Sequence, residues 1–346
     1  MSSPEDTQGL VVLTVSADDR RVRVRRLPDY ETVRTSCAEA WPAVPGAFPQ
    51  VMVPPLLDAG ADDACVFVVT RDGSVHHVPL DGRAARPLED VTWEATRPFA
   101  VAGDGRAVAA GARIVTVTGA RFDLESDGAK VGAVASAPDG FLVAREAGRD
   151  WICERVVVTP DGLRVASSVS WVAPAWLAEA QPRADAAYFT RIAPQLSDAQ
   201  PLVLLLPAPT RGAPWIVRVE PNGEQTPIVQ DWFDAARPAV VVGDELHYFS
   251  FDELRRVALK AHAQREGWPD LDAVVARLGG TPSHAQAHVK ALARHGQAAL
   301  VRVDGLPDAG ADWELALVSR DGVTVERTRL TARESLGGWM LPAPSR

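Results

Sequence analysis

The chain has 346 residues, of which 47% are hydrophobic and 23% charged, and its formal net charge is −9. This composition excludes the disordered and membrane classes, and the acidic balance excludes a surface that grips nucleic acid over its whole extent, since phosphate contact needs clustered Lys and Arg. Cys37, Cys65 and Cys153 are odd in number and far apart, which fits neither a disulfide framework nor a paired zinc signature. The opening Met-Ser-Ser-Pro-Glu-Asp-Thr-Gln has no basic-then-apolar leader, and no apolar run approaches a membrane span. A cytoplasmic protein of bacterial type, without membrane contact, is therefore expected.

In chain order, residues 9–37 read as three strands, Leu10–Ser16, Arg21–Leu27 and Glu31–Ser36, parted by Ala17-Asp18-Asp19 and Pro28-Asp29. Strands at about 50–57, 64–70 and 74–80 follow. Arg71-Asp72-Gly73 joins the last two, because Asp-Gly suits the positive φ of a tight hairpin. Two fuller units come next: Pro98–Ala102, Ala107–Ala110, Ile114–Thr118 and Arg121–Glu125, then Val131–Ser136, Phe141–Arg145, Trp151–Thr159 and Leu163–Ser168. A connection at 171–183, bearing prolines and two tryptophans, leads to Ala186–Arg191, Leu202–Leu206, Trp215–Glu220 and Thr226–Gln230. Another unit then begins with Ala239–Val242 and Leu246–Phe251.

Beyond Glu253 the apolar spacing turns helical. Leu254, Val257, Ala258 and Ala261 form one stripe, Leu271, Val274, Val275 and Leu278 a second, and Ala285, Val289 and Leu292 a third. Three helices are predicted here, with Asp270 and Thr281 as caps, Pro282 in a first turn and Gly279 and Gly296 as stops. Strands resume at about Ala298–Val303, Trp313–Ser319 and Val323–Leu330, and Gly337–Leu341 supplies one more.

A short unit recurs along this order: a glycine corner, a strand, an Asp-Gly or Asn-Gly turn, another strand. Asp58-Ala-Gly-Ala-Asp62 leading to Arg71-Asp-Gly73 matches Asp308-Ala-Gly-Ala-Asp312 leading to Arg320-Asp-Gly322. Gly148 with Trp151 and Gly212 with Trp215 head two further copies. From Gly60, Gly148, Gly212 and Gly310 the turn residue lies ten to thirteen positions on.

Segments such as Ser136-Ala-Pro-Asp-Gly-Phe-Leu-Val-Ala144 and Val158-Thr-Pro-Asp-Gly-Leu-Arg-Val165 give the chain a resemblance to the WD-repeat and related β-propellers as a class, over nearly all of it outside 252–296. It is a resemblance of fold, since no unit ends in the Trp-Asp pair. It implies a mostly β protein: a β-propeller of seven four-stranded blades, six being the alternative, with 1–251 and 297–346 forming the ring and 252–296 a three-helix insertion. Such a ring closes by joining distant strands within one blade, so Gly337–Leu341 is expected beside Leu10–Ser16. Leu278–Leu292, followed by Leu300-Val-Arg-Val303, looks in addition like the helix-turn-helix and wing of multiple-antibiotic-resistance-type winged-helix regulators. That resemblance implies a recognition helix at 282–295 with Ser283, His284 and Gln286 near base edges. The following loop carries Asp304, Asp308 and Asp312, the wrong charge for phosphate, and favours the insertion reading.

His284 and His288 stand four apart with His295 near the same face, but no acidic or Cys partner sits at a matching offset; a solvated polar face is expected. His76 and His77 point to opposite faces of a strand. No nucleophile elbow, phosphate-binding glycine loop or calcium-loop pattern occurs, so no catalytic residue, cofactor or metal is expected. Trp171, Trp176, Leu177, Trp232 and Phe233 lie in or near inter-unit loops and are the candidates for contact with a protein partner, joined by His284 and His288. The expected function is a non-catalytic platform for protein–protein interaction or complex assembly. The alternatives are a DNA-binding transcriptional regulator and a propeller enzyme with its site at the channel mouth.

Overall fold

The computed structural model describes residues 9–43, 49–94, 97–124, 129–147, 150–172, 191–197, 199–206, 213–232, 237–251, 253–307, 313–320, 325–330 and 334–344. Among the described residues the regular structure is strand apart from one short helix. Five sheets have four strands each, paired in chain order. The chain begins with β1 (Leu10–Ser16), β2 (Arg21–Arg26) and β3 (Glu31–Thr35). The first four-stranded sheet holds β4 (Gln50–Met52), β5 (Cys65–Val69), β6 (Ser74–Pro79) and β7 (Arg86–Thr92). The second holds β8 (Phe99–Val101), β9 (Ala107–Ala110), β10 (Arg113–Thr116) and β11 (Arg121–Asp123). The third holds β12 (Lys130–Ala137), β13 (Gly140–Ala147), β14 (Asp150–Thr159) and β15 (Gly162–Val172). The fourth holds β16 (Arg191–Ile192), β17 (Leu202–Leu206), β18 (Trp215–Val219) and β19 (Gln225–Gln230). The fifth holds β20 (Ala239–Val242), β21 (Glu245–Ser250), β22 (Glu253–Ala258) and β23 (Arg265–Gly267). Next come the helix α1 (Leu271–Arg277), then β24 (Gln286–Ala293), β25 (Ala298–Asp304), β26 (Trp313–Ser319), β27 (Val325–Leu330) and β28 (Glu334–Pro342).

The remaining sheet has eight strands in the order β27-β26-β25-β24-β28-β1-β2-β3. Two four-stranded halves meet at its centre, where β24 and β28 run parallel through Leu292↔Trp339 and Ala293↔Met340. On its other side β28 pairs antiparallel with β1, Val11 opposite Leu341 and Val12 opposite Met340. Successive antiparallel meanders whose last strand returns to the first describe a β-propeller, and the expected joining of Gly337–Leu341 to Leu10–Ser16 is present. The core lies between neighbouring sheets and between the two halves of the eight-stranded one. Ala133, Trp151, Leu204 and Val217 join the third and fourth sheets, and Val12, Leu27 and Met340 of one half pack with Leu300 and Leu315 of the other.

The three-helix insertion is overturned: within 253–307 only Leu271–Arg277 is helical, and 253–258, 265–267 and 286–293 are strands. A β-bulge explains why β24 imitates a helix. Its register slips between Val289 and Ala291, leaving Lys290 as the extra residue, so Leu292 joins Val289 in one core at a spacing of three, while Ala285 precedes Val289 by the even spacing of a regular strand. In β22 the spacing of three does the opposite of what a helix would do. Leu254 and Val257 enter different clusters, as residues three apart on a strand must. With 286–293 a strand, the recognition helix of the winged-helix resemblance is absent as well. α1 does form where predicted, capped by Asp270 accepting from the Ala273 amide and docked through Val274, Val275 and Leu278.

The repeat is in phase in three of its copies. Trp215 and Trp313 open the third strand of four, β18 and β26, and Trp151 is the second residue of the third strand β14. The copy around Gly60 is one strand out of phase, because it precedes β5, a second strand. Gly148, Gly212 and Gly310 lie outside the described residues.

Candidate functional site

Adjacent antiparallel strands reverse direction, so the turns between second and third strands emerge on the same face as the connections from each outer strand to the next inner one. The Trp232 segment between β19 and β20 and the Phe251 turn between β21 and β22 thus share a face, and the end of β15 at Trp171 reaches it too. Trp232 is 36% exposed and Phe251 68%, and their rings stand 6.1 Å apart, tilted by 59°. Phe251 follows the Ser250↔Glu253 pair that closes the hairpin, and its φ is +54°. For a bulky L-residue that conformation costs about 1–2 kcal/mol, and such residues concentrate at functional positions.

The patch rests on a buried carboxylate. Asp231, whose side chain is 4% exposed, accepts from the Tyr248 hydroxyl at 2.7 Å, the Ser250 hydroxyl at 3.0 Å, Arg255 Nη1 at 2.8 and 2.7 Å and the Trp232 amide at 2.8 Å. A carboxylate has about four acceptor positions, and these donors occupy them. Burial raises the Tyr248 pKa and the neighbouring Asp231 raises it further, which keeps the phenol protonated as donor. Burial works against the Arg255 charge, but its bonds to Asp231 and Glu253 outweigh burial and its pKa is raised. Beside them Arg237 stacks its guanidinium 4.3 Å from the Phe249 ring centroid and donates to the Phe251 carbonyl.

Arg237 also reaches the ring's axis. With Pro238 it lines a cavity walled by inner strands, including Val51–Val53, Phe99–Val101, Val134–Ser136, Ile192 and Gly338-Trp339. The cavity is about 70 Å³, far below the several hundred Å³ usual for a small-molecule site. Among the described residues Arg237 is the only ionisable side chain lining it, so they put no acid–base pair there. The described residues likewise contain no group of three or more His, Cys, Asp or Glu placed to hold a metal ion, and no helix long and apolar enough to cross a membrane.

Among the residues singled out from sequence, Trp232 is exposed as expected. Trp171 lies in β15 opposite Trp151. Trp176, Leu177 and Phe233 fall outside the described residues. His284 sits exposed in the turn before β24, and His288 is half-buried on β24 with Nε2 4.0 Å from Asp304 Oδ2, so the shared helical face imagined for them does not exist. The sequence reading missed Phe251 and Asp231; the one signal available was the Phe251-Asp252 pair directly after the apolar run ending in Tyr248-Phe249.

Buried histidines set a pH response, His76 among them, its pKa lowered by burial. His247 is wholly buried; its Nδ1 accepts from Trp268 Nε1 at 3.1 Å and its Nε2 lies 3.5 Å from Glu245 Oε2. Burial holds its pKa well below 6.5, assisted by Arg320 and opposed by Glu245. His77 is pushed down to about 4 by burial, helped by Arg86 and Arg83. Below 6.5 the unfolded chain binds protons that the folded chain refuses. Stability is therefore complete above that value and is lost as pH falls toward the folded pKa values. Urea midpoints are expected to fall between pH 7 and pH 5, with His247 alone contributing about 2 kcal/mol. Equal stability at both pH values would refute this.

No known protein family and no curated protein matches the sequence. Solved structures do resemble it. Dihydro-heme d1 dehydrogenase NirN in complex with DHE is 16% identical with a TM-score of 0.45, over 99% of this chain and 77% of that one. Apo AztD from Citrobacter koseri is 12% identical with a TM-score of 0.46, over 97% and 98%. The Cps50 (Swd1) beta-propeller domain of Myceliophteria thermophila is 14% identical with a TM-score of 0.42, over 86% and 94%. At such low identity and TM-score none of them carries an argument here, and the fold assignment rests on the strand order.

Proposed function

We propose that the chain is a seven-bladed propeller, its eight-stranded sheet counting as two blades, and that it serves as a non-catalytic platform for protein assembly. Trp232 and Phe251 anchor the partner. The observation that supports this reading is an exposed aromatic pair held in place from below: Phe251 keeps a costly φ while Asp231, fully bonded, fixes the Trp232 amide and the Tyr248–Ser250 strand end. A side chain maintained at a backbone cost and shown to solvent serves contact better than packing. Aromatic anchors of this kind dominate interface energies. The thiols of Cys37, Cys65 and Cys153 are free, which fits a reducing cytoplasm.

Affinity purification from the native host tests the proposal, comparing the native chain with Trp232→Ala and Phe251→Gly. Each replacement is expected to weaken capture of the same partner by about 30-fold, as loss of a hot spot of about 2 kcal/mol requires. Phe251→Gly is expected to leave thermal stability equal or higher, since glycine relieves the positive φ. Undiminished capture by both variants would remove the reading.

A further inference from the structure

The outer strand of each four-stranded set presents unpaired backbone groups, and natural sheets blunt such edges with charge, proline or short length. Most outer strands here are blunted in that way. β3 carries Glu31 and Arg34 in five residues, β7 carries Pro87 with three charges, β19 carries Pro227, β27 carries three charges, and β11 and β23 have three residues each. β15 is the exception. It is the longest strand, eleven residues, with no proline and Arg164 as its single charge. Among the described residues its only strand partner is β14, and its residues 164–168 are exposed. Its register slips at Ala166, which leaves Ser167–Val172 as a regular uncharged segment. Among the described contacts on its outer side, the Gln225 side chain donates to the Val172 carbonyl at the strand's end.

We infer that β15 is a homodimer edge, pairing antiparallel with β15 of a second copy about a two-fold axis at Val169. The edge offers alternating amide and carbonyl groups, which only another strand can satisfy in series. The sequence fits itself. Ser168 faces the second copy's Ser170, Val169 faces Val169, and no like charges meet, as an isologous interface requires. A net charge of −9 on each copy opposes association at long range, so the pairing is strengthened by salt, whereas an interface held by ion pairs is weakened. This inference does not depend on the Trp232 reading.

Light scattering of the purified chain from micromolar to submillimolar concentration tests it. The mass is expected to rise toward that of a dimer, at lower concentration in higher salt. Ser168→Lys with Ser170→Lys, both at exposed positions, is expected to weaken dimerisation at least tenfold. An equimolar mixture of that variant with Ser168→Glu/Ser170→Glu is expected to restore it as a heterodimer, which a misfolded variant does not do. A monomer at every concentration, a dimer indifferent to the lysines, or a mixture that fails to associate would each overturn the inference.

Discussion

Truncation after Leu336 is expected to leave a chain without a cooperative thermal transition. The missing segment contains Trp339, Met340 and Leu341, buried to 7%, 0% and 0% exposure. Burying side chains of this size contributes roughly 1.5–3 kcal/mol each, so the three together approach the 5–15 kcal/mol typical of a whole domain. The backbone loses as much as the core. Val11 and Val12 lose their pairing with Leu341 and Met340, Leu292 and Ala293 lose Trp339 and Met340, and the ring is left with two open inner edges. Circular dichroism during heating is the measurement; a melting curve within a few degrees of the full chain's would show that closure is not what holds the ring.

Asp231→Ala is expected to cost about 3–5 kcal/mol, the usual penalty for stripping one member from a buried ion pair. It leaves Arg255 with Glu253 as its remaining carboxylate and removes the acceptor that the hydroxyls of Tyr248 and Ser250 share. Asp231→Asn keeps an acceptor oxygen and should cost less, although its amide hydrogens must face the guanidinium. Urea unfolding gives both values. A loss below 1 kcal/mol for Ala would mean that water replaces the carboxylate and that the network does not fix the Trp232 segment.

Much of the fold was legible because its signals are local. Gly73 at φ +84° leaves no room for a Cβ, which would stand 2.5 Å from the Trp93 carbonyl, and Asp-Gly announces such a turn directly. Trp151, Trp215 and Trp313 at matching positions revealed the order of the strands. The helical misreading of 285–292 has an equally local cause: Ala285 and Val289 are four apart by plain alternation, and one bulged residue, Lys290, turns the next step into three. The site was less legible. Asp231 finds Tyr248 and Arg255 seventeen and twenty-four positions away, and no periodicity relates them. Only the docking of the β19–β20 connection onto β21 and β22 brings them together. Trp232 could be suspected as an aromatic in a loop, but the carboxylate that seats it could not.

The pairing of β28 with β1 also governs how the molecule comes into being. During synthesis Val11 emerges early and finds its outer neighbour β2 at once, while its inner neighbour, around Leu341, has yet to be made. Every other sheet can assemble as its own four consecutive strands leave the ribosome. Contacts so distant along the chain carry the entropic cost of closing the longest loop, and they come last and slowly. Until then the nascent protein is an open arc with an apolar strand edge waiting at one end, the stage at which pairing with the wrong chain is easiest. Slowing translation near residue 334 is therefore expected to favour aggregation, and a chaperone that holds strand edges to suppress it.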